Sequence, residues 1–252
     1  MPFTIDYSGK VVLVTGATKG VGRGIAQRFD EAGATIAVCA RTGVDDLPTS
    51  WRYFAVDLRD GEAAYAMVDQ VVASFGRLDV LVNNAGGTPV VETATASPRI
   101  TERLIQLNLL SAIYCSQQAN KHMQGQPQGG SIINISSVCA FRPSPGSAAY
   151  GAAKAGLNNF SMTAALEWAP KVRVNTVTAG MIRTELSHLF YGDEAGIAAV
   201  GASVPLGRIA NSSEIGDICV YLGSDMASYV TGGDVLAHGG GEKPAWLTEG
   251  NA

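Results

Sequence analysis

Two residues of this sequence, Tyr150 and Lys154, could together act in proton transfer because of their side chains and their spacing of four residues. Positions i and i+4 lie one turn apart on the same face of a helix. The apolar pattern of residues 155–168 supports a helix at this place. An ammonium beside a phenol favours the phenolate and lowers the phenol pKa from its reference of about 10. The pair therefore predicts a proton donor or acceptor near neutral pH, but ordinary surface helices carry the same spacing.

Short apolar segments alternate with amphipathic ones along the whole chain of 252 residues. We predict strands at residues 11–14, 35–40, 53–56, 78–82, 131–135, 172–177 and 234–237. Helices are predicted at residues 22–32, 62–75, 98–122, 150–168 and 214–222. This alternation indicates βαβ units and a parallel sheet. We expect a single α/β domain over residues 1–252, a Rossmann-type doubly wound sheet of about seven parallel strands with helices on both faces.

Composition excludes several classes of protein. The chain is 46% hydrophobic and carries a net charge of -4, which suits a large core and argues against a nucleic-acid partner. The four cysteines are far apart and the three histidines have no ligand spacing, so neither a disulfide framework nor a metal site is expected. The N-terminus lacks a signal pattern, and no apolar run reaches the length of a membrane span. A cytoplasmic protein with buried, reduced thiols is the prediction.

A glycine-rich turn joins the first predicted strand to the first predicted helix. Glycines in this position let the backbone approach a diphosphate, and the helix N-terminus supplies free N–H groups and a positive dipole. The spacing is G-x3-G-x-G, so a purely structural turn is the alternative. The residues predicted to contact a nucleotide here are Gly16, Thr18, Lys19, Gly20, Val21 and Gly22.

The end of the second predicted strand indicates which dinucleotide binds. Sites for NAD usually place an acid there to hold the ribose 2′-hydroxyl. In this sequence Ala40 occupies the acidic position, and Arg41 and Thr42 follow it. With Lys19 in the glycine turn, two cations and no acid favour a 2′-phosphate, so we predict NADP(H) over NAD(H). The alternative is that Arg41 is a solvated loop residue.

Further motifs follow in a fixed order. They are Thr15-Gly16 with Gly20 and Gly22, Asp57-Leu58, Asn83-Asn84-Ala85-Gly86, Asn108, Ile135-Ser136-Ser137, and Tyr150 with Lys154. On these motifs, over about residues 8–241, the sequence strongly resembles the short-chain dehydrogenase/reductase family. The resemblance implies hydride transfer between a nicotinamide cofactor and a ketone or secondary alcohol. It also outweighs the surface-helix interpretation of the Tyr150 and Lys154 spacing.

The resemblance implies a role for each matching residue. Tyr150 would be the catalytic acid/base, and Ser137 would hydrogen-bond the substrate oxygen. Lys154 would bind the nicotinamide ribose and lower the pKa of Tyr150, and Asn108 would hold a proton-relay water. The other matching residues would contact the cofactor: Asp57 and Leu58 at the adenine, Asn83, Ala85 and Gly86 at its middle, Thr184 at the nicotinamide amide, and Gly180 and Ile182 nearby.

Two departures from the family pattern stand near the expected nicotinamide site. Where the family usually has Pro-Gly after the sixth strand, this chain has Ala179-Gly180, and we expect a looser turn before residues 181–184. Where the family has Asp-Gly-Gly near the C-terminus, this chain has His238-Gly239-Gly240, so a contact made by the family's acid is in question.

Residues 181–207 correspond to the segment that covers the substrate in the family. Their apolar side chains suit a lipophilic ketone or acyl chain, or they simply pack two lid helices onto the core. Arg142 could meet a carboxylate or a coenzyme A phosphate, or it could be a solvated loop residue. The residues predicted to contact the substrate are Ser137, Phe141, Gly87 and Leu186.

The leading hypothesis is an NADP(H)-dependent carbonyl reductase or alcohol dehydrogenase acting on a lipophilic small molecule. A 3-oxoacyl thioester of acyl carrier protein or coenzyme A is the alternative substrate. From another class, the chain could be a catalytically silent nucleotide-sensing regulator, against which the set of Asn108, Ser137, Tyr150 and Lys154 argues. The resemblance implies a homotetramer or homodimer built through residues 100–120 and 150–168, with residues 243–252 as a tail or a contact to a neighbouring subunit.

Overall fold

Strands and helices alternate through residues 4–244, the part of the chain that the computed structural model describes. The strands are β1 Val11–Thr15, β2 Thr35–Ala40, β3 Arg52–Ala55, β4 Val80–Asn83, β5 Gly130–Ser137, β6 Val172–Ala179, β7 Ile182–Arg183, β8 Ala210–Asn211 and β9 Asp234–Ala237. The helices are α1 Gly20–Glu31, α2 Gly61–Phe75, α3 Pro98–Ile105, α4 Ser111–Gly125, α5 Ala148–Trp168, α6 His188–Tyr191, α7 Glu194–Ser203 and α8 Ser212–Gly223.

Seven strands form one parallel sheet in the order β3-β2-β1-β4-β5-β6-β9. The direction of this order reverses between β1 and β4, and in open α/β sheets ligands bind in the crevice outside the carboxyl ends of the strands at such a point. The predicted doubly wound α/β fold is confirmed. The short strands β7 and β8 form a separate parallel pair that the sequence did not predict.

Two apolar cores cover the two faces of the sheet. On one face, α1 and α8 pack Phe29 and Cys219 against β1 and β4. On the other, α2, α4 and α5 pack Met67 and Met123 against the opposite side of the same strands. The strands read as continuous apolar runs because both of their faces are buried. This double coverage leaves the carboxyl ends of the strands as the open edge of the sheet.

The predicted helix over residues 98–122 is interrupted. A π-helical turn, Gln106–Leu110, separates α3 from α4. The side-chain amide of Asn108 donates to the carbonyl oxygen of Leu104 (2.9 Å), and the hydroxyl of Ser111 donates to that of Leu107 (2.6 Å). Both carbonyls lie four residues earlier and would accept backbone N–H groups in a regular helix, so these side chains compete with the helical ladder. Turns of this kind often lie at functional sites.

No helix within residues 4–244 is both long enough and apolar enough to cross a lipid bilayer.

Candidate active site

The N-terminus of α1 is open toward the glycine-rich turn. The residue before it, Lys19, makes no side-chain capping bond, and the first turn carries no acidic side chain. By contrast, α2, α3 and α7 are capped by Asp60, Ser97 and Asp193. The first N–H groups of a helix have no partners within the helix. Here they remain available, together with the helix dipole, for an anion such as a diphosphate.

Hydrogen bonds fix the turn that precedes α1. The hydroxyl of Thr15 accepts the backbone N–H groups of Asn84 and Ala85, each at 3.0 Å, and the Asn84 amide donates to the Thr15 carbonyl at 2.9 Å. Gly16 has φ +66°, and a Cβ on it would lie 2.9 Å from Cα of Ala85. Gly16 therefore needs to be glycine because the ends of β1 and β4 approach so closely.

The other residues predicted for the glycine turn divide by burial. Thr18 is buried and Lys19 is exposed. Val21 is half-buried and packs against the apolar core, so its backbone rather than its side chain faces the turn. A Cβ on Gly20 would lie 3.8 Å from the methyl group of Thr184. The glycine turn and the segment after β6 therefore lie next to each other at the open edge of the sheet.

Cationic groups gather beyond the end of β2. Arg41 and Thr42 are exposed directly after Ala40, which ends the strand. Next to them, the Arg59 guanidinium pairs with Asp57 and holds the pKa of that carboxyl below its usual range, with Arg41 adding a smaller effect in the same direction. Leu58 is buried. The predicted adenine contact of Asp57 therefore competes with Arg59, a neighbour that the motif did not reveal.

The side chain of Asn83 is hydrogen-bonded within the core. Its amide donates to the Ser116 hydroxyl and to Oδ1 of Asn134, each at 2.8 Å, in a buried network between β4, β5 and α4. The side chain is thus directed into the core rather than toward the crevice. Only the backbone of Asn83 remains available to the cofactor, while Ala85 and Gly86 lie at the open edge.

Asn108 lies in the π-helical turn and is almost completely buried. Its Oδ1 accepts the backbone N–H of Gly87 (2.8 Å), and its Nδ2 donates to the carbonyl oxygen of Gly87 (3.0 Å). A Cβ on Gly86 would lie 2.6 Å from the same Oδ1 and 3.5 Å from Nζ of Lys154. Asn108 therefore holds the loop after β4 against Lys154. The predicted relay water is a proposal that these bonds do not test.

Lys154 lies on α5 and its side chain is buried. Its Nζ donates to the carbonyl oxygen of Ile135 at 2.8 Å. The same Nζ is 5.8 Å from the centroid of the Tyr150 ring. Burial lowers the pKa of Lys154 to about 8, because desolvation disfavours the ammonium. At pH 7 the side chain is still mainly charged, and it lies directly behind the tyrosine.

The predicted direction of the Tyr150 pKa shift is wrong. Burial raises the pKa of Tyr150 to about 12, and the Ser137 hydroxyl offsets only part of this rise. The physical reason is that desolvation of the phenolate outweighs the effects of the neighbouring groups. Tyr150 thus keeps its proton at neutral pH. The Ser137 hydroxyl, at the end of β5, also accepts the backbone N–H of Cys139 at 3.2 Å.

Hydrogen bonds hold the segment after β6, although this chain has Ala179 where the family usually has proline. Ala179 pairs with Ser137 on one side and Ala237 on the other, and the N–H of Gly180 continues to the Ala237 carbonyl at 3.0 Å. A Cβ on Gly180 would lie 2.8 Å from Cα of His238, so close packing explains this glycine. The expected loosening of this turn is therefore not found.

The residues that follow are fixed as well. Strand β7 pairs with β8, and Ile182 packs against the apolar core. The N–H of Thr184 donates to the Ser187 hydroxyl at 2.8 Å. At the second departure from the family pattern, the sequence His238-Gly239-Gly240, Nδ1 of His238 accepts the N–H of Gly240 at 3.2 Å. The His238 ring thus supplies a hydrogen-bond acceptor to the turn at the position where the family has an acid.

A cavity of about 330 Å³ opens next to the carboxyl ends of β5, β6 and β9. Of the predicted substrate contacts, Phe141 lines it and Ser137 directly precedes its wall residue Val138, whereas Gly87 and Leu186 do not line it. Its wall also includes Met181, which begins the predicted lid, and Val138, Leu236, His238 and Glu242, which the sequence did not place at the substrate. These residues come from three segments that no local pattern connects. Among the described side chains, no group of three or more His, Cys, Asp or Glu is placed to hold a metal ion.

Comparison with known proteins agrees with this geometry. A family model described as enoyl-(acyl carrier protein) reductase matches residues 16–242. The probable 2,4-dienoyl-CoA reductase of Bacillus subtilis is 32% identical, over 92% of this chain and 96% of that protein. The 3alpha-hydroxysteroid dehydrogenase of Mediterraneibacter gnavus is 34% identical, over 88% of this chain and 93% of that protein.

A solved structure shares the whole fold. The crystal structure of a putative short-chain alcohol dehydrogenase from Sinorhizobium meliloti superimposes with a TM-score of 0.87 and is 35% identical. The match covers 94% of this chain and 98% of that one.

Proposed function

Because the chain belongs to the short-chain dehydrogenase/reductase family, we propose that it is a carbonyl reductase that uses NADP(H) and Tyr150. Oxidoreductase chemistry on a ketone or secondary alcohol follows from the family itself. The cofactor preference, the proton donor and the lipophilic character of the substrate are our inferences. They rest on the side chains of this chain.

One observation supports the assignment of catalysis above all others. Asn108, Lys154 and Tyr150 come from two helices, and Ser137 comes from the end of β5, yet they meet in one place. The Lys154 ammonium lies behind the Tyr150 ring, and Asn108 fixes the glycine loop in front of it. A catalytically silent nucleotide sensor would not need a buried lysine, which costs stability.

The roles in reduction follow from these positions. Bound in the crevice, NADPH supplies the hydride that reduces the substrate carbonyl carbon. The Ser137 hydroxyl donates a hydrogen bond to the carbonyl oxygen and holds it next to Tyr150. Since Tyr150 is protonated at neutral pH, it donates its proton to that oxygen as negative charge develops. The ammonium of Lys154 stabilises the phenolate left behind.

The raised pKa of Tyr150 suits its proposed role as the proton donor in reduction. A phenol with a pKa of about 12 is a proton donor throughout the physiological range, whereas the reverse reaction needs the phenolate. The exposed cations Lys19 and Arg41, with alanine at position 40, support the same direction because they favour the phosphorylated cofactor.

The lipophilic substrate is inferred from the cavity beyond Ser137. Val138, Phe141, Met181 and Leu236 give this cavity a mainly apolar wall. In the proposed lid, residues 181–207, Ile197 and Val204 pack inward while Leu189, Phe190 and Leu206 stay exposed. The inward residues support the packing interpretation, and the exposed ones leave apolar surface for a substrate or a partner.

A 3-oxoacyl thioester remains the second candidate, since similar proteins include a reductase named for a coenzyme A substrate.

A carbonyl panel tests the proposed function. NADPH oxidation would be followed with acetoacetyl thioesters, steroid ketones and aryl methyl ketones, each compared with NADH. Turnover of the neutral ketones with NADPH supports the proposal. Turnover confined to thioesters would favour the second candidate, and cofactor binding without turnover on any class would favour the sensor.

The pH dependence of the reduction rate should follow the protonation state of Lys154. As pH rises through about 8, Lys154 loses its proton and no longer stabilises the phenolate, while Tyr150 keeps its own proton up to about pH 12. We therefore expect kcat/KM for reduction of a non-ionising ketone to be level from pH 6 to 7.5 and to fall above about pH 8. A profile that stays level to pH 10, with the protein still folded by circular dichroism, contradicts this assignment.

We also propose a cytoplasmic homotetramer. The four cysteines are free thiols, as a reducing compartment would keep them. On α5, Met162 and Leu166 are exposed, and Tyr229 is exposed in the turn before β9, the edge strand of the sheet. Exposed apolar groups on two separate surfaces fit two kinds of subunit contact.

Replacing Leu166 with glutamate tests this assembly. Leu166 is 83% exposed, and a charge there would be buried in the proposed contact. By light scattering after size exclusion, we expect about four times 26.1 kDa for the wild type and a smaller assembly for the variant. The control is Val90→Glu in the loop after β4, where the side chain is 76% exposed, and this variant should keep the wild-type mass. A monomeric wild type at micromolar concentration rules the proposal out.

A further inference from the structure

An ion pair that the sequence did not reveal stands at the rim of the substrate cavity. Arg142, in the loop after β5, donates through Nη2 to Oε1 of Glu242, near the end of the described chain. Both residues line the cavity of about 330 Å³, and most of their neighbours in its wall are apolar. The pair joins the loop that follows Ser137 to a segment 100 residues later in the sequence.

The guanidinium of Arg142 is held independently of Glu242. Its Nη1 donates to the carbonyl oxygen of Pro143 at 3.1 Å and to the Ser144 hydroxyl at 2.9 Å. These bonds leave Nη2 directed at the carboxylate. A guanidinium fixed in this way keeps its position when the carboxylate changes, and it has the fork geometry that matches carboxylate and phosphate groups.

The carboxylate of Glu242 is brought to the cavity by a short strap, residues 241–243. The N–H of Gly241 donates to the His238 carbonyl at 3.0 Å, and the N–H of Lys243 donates to the Ser203 carbonyl at 2.8 Å. The Lys243 ammonium donates to the Ala202 carbonyl at 3.0 Å. The strap is thus anchored to the end of α7, and Glu242 is the side chain that it places beside Arg142.

We propose that Glu242 is a specificity residue that occupies Arg142 and makes the site select uncharged ketones. This inference rests on the proposed carbonyl reductase function and names the substrate class for it. A ketone that carries a carboxylate or phosphate at its far end finds no free cation among the described residues of the rim. It also meets the negative charge of Glu242, which repels it.

The other described polar groups around the cavity do not supply a cation that could bind the anionic end of a substrate. Nδ1 of His238 accepts the Gly240 N–H, and the Lys243 ammonium is bonded to α7. Tyr191 lies close enough to Glu242 for the carboxylate to raise the pKa of its phenol, after the larger effect of burial. Water still screens the ion pair, since each side chain is 39% exposed. The selectivity should therefore be about tenfold, at the lower end of what a charged hydrogen bond provides.

Two ketones of matched shape test the proposal, 4-acetylbenzoate and its methyl ester. We expect the wild type to have a kcat/KM about tenfold higher for the ester. In Glu242→Gln the ratio should shift toward the benzoate by about tenfold, since Arg142 is then free to bind the carboxylate. In Arg142→Gln/Glu242→Gln most of the shift should disappear, and only the part that comes from the lost repulsion by Glu242 should remain. The control Glu31→Gln, which removes a carboxylate from a pair with Arg28 on α1, should keep the wild-type ratio.

A ratio that does not change in Glu242→Gln, or that changes equally in the double variant, would overturn the proposal. Thermal melting of each variant, together with its activity on the ester, separates this result from a failure to fold. If the wild type reduces neither ketone, the proposed function fails instead. Calorimetric binding of the same two ketones to the same variants then still decides the role of Glu242, and binding of neither ketone to any of them would refute the cavity as its location.

Discussion

Replacing Tyr150 with phenylalanine is expected to lower kcat/KM for ketone reduction by about 10²–10⁴-fold, the usual range for removing a general acid. The change deletes one hydroxyl and leaves the ring beside Lys154. Binding of NADPH, measured by fluorescence titration, should remain within about twofold because the glycine turn and α1 are untouched. The expected loss is therefore confined to the chemical step.

The control for this variant is Tyr65→Phe on α2. Its hydroxyl donates to Oε1 of Gln117 at 2.7 Å on the protein surface, between α2 and α4. It makes the same chemical change without touching the site, so normal activity is expected. Normal turnover by Tyr150→Phe would remove the central assignment, whereas loss of NADPH binding would mean that Tyr150 acts mainly in holding the cofactor.

Exchanging the residues at the end of β2 is expected to reverse the cofactor preference. In Ala40→Asp/Arg41→Ala, the guanidinium that would bind a 2′-phosphate is lost, and an acid is placed where NAD-dependent relatives of this fold hold the ribose. The lost charged hydrogen bond alone contributes about 1.5–3 kcal/mol, or about 10- to 150-fold. Repulsion between the new carboxylate and the phosphate adds to it, so the ratio of kcat/KM for NADPH over NADH should fall by about 10²-fold or more.

Arg52→Ala is the matched control for this exchange. Arg52 is also an exposed arginine, and it begins β3, three residues before Ala55, the residue that pairs with Ala40. Arg52→Ala lowers the net charge by one, as the Arg41→Ala part of the exchange does, so any loss of preference in this control would mean that long-range attraction rather than a local contact selects NADPH. A wild type that uses both cofactors equally well contradicts the prediction before any variant is made.

Local patterns in the sequence determined the framework of this protein. Strands buried on both faces appear as apolar runs, and each helix carries its own period and its own end signals, so their order and the parallel sheet could be read directly. The α5 helix, predicted over residues 150–168, runs from Ala148 to Trp168. The residues that meet at the carboxyl ends of the strands were found for the same reason, since each follows a strand or opens a helix.

Tertiary structure decided whatever depends on distant neighbours. Spacing placed Lys154 beside Tyr150, but only the depth of burial shows that desolvation governs both groups, lowering the pKa of the lysine to about 8 and raising that of the tyrosine to about 12. Similarly, Asn83 belongs to a correct motif, yet its side chain bonds to Asn134 and Ser116 in the core. The direction of a side chain at the end of a strand depends on the strands and helices packed against it.

The wall of the substrate cavity lies furthest from what a sequence can determine. Arg142 and Glu242 are separated by 100 residues, and neither position belongs to a recognisable motif. Their contact exists because β5, β6 and β9 end side by side and the strap after β9 returns over the loop after β5. The sequence thus determined the reaction that this protein is built to perform. Which molecules reach the reacting groups is decided by segments that only the folded chain brings together.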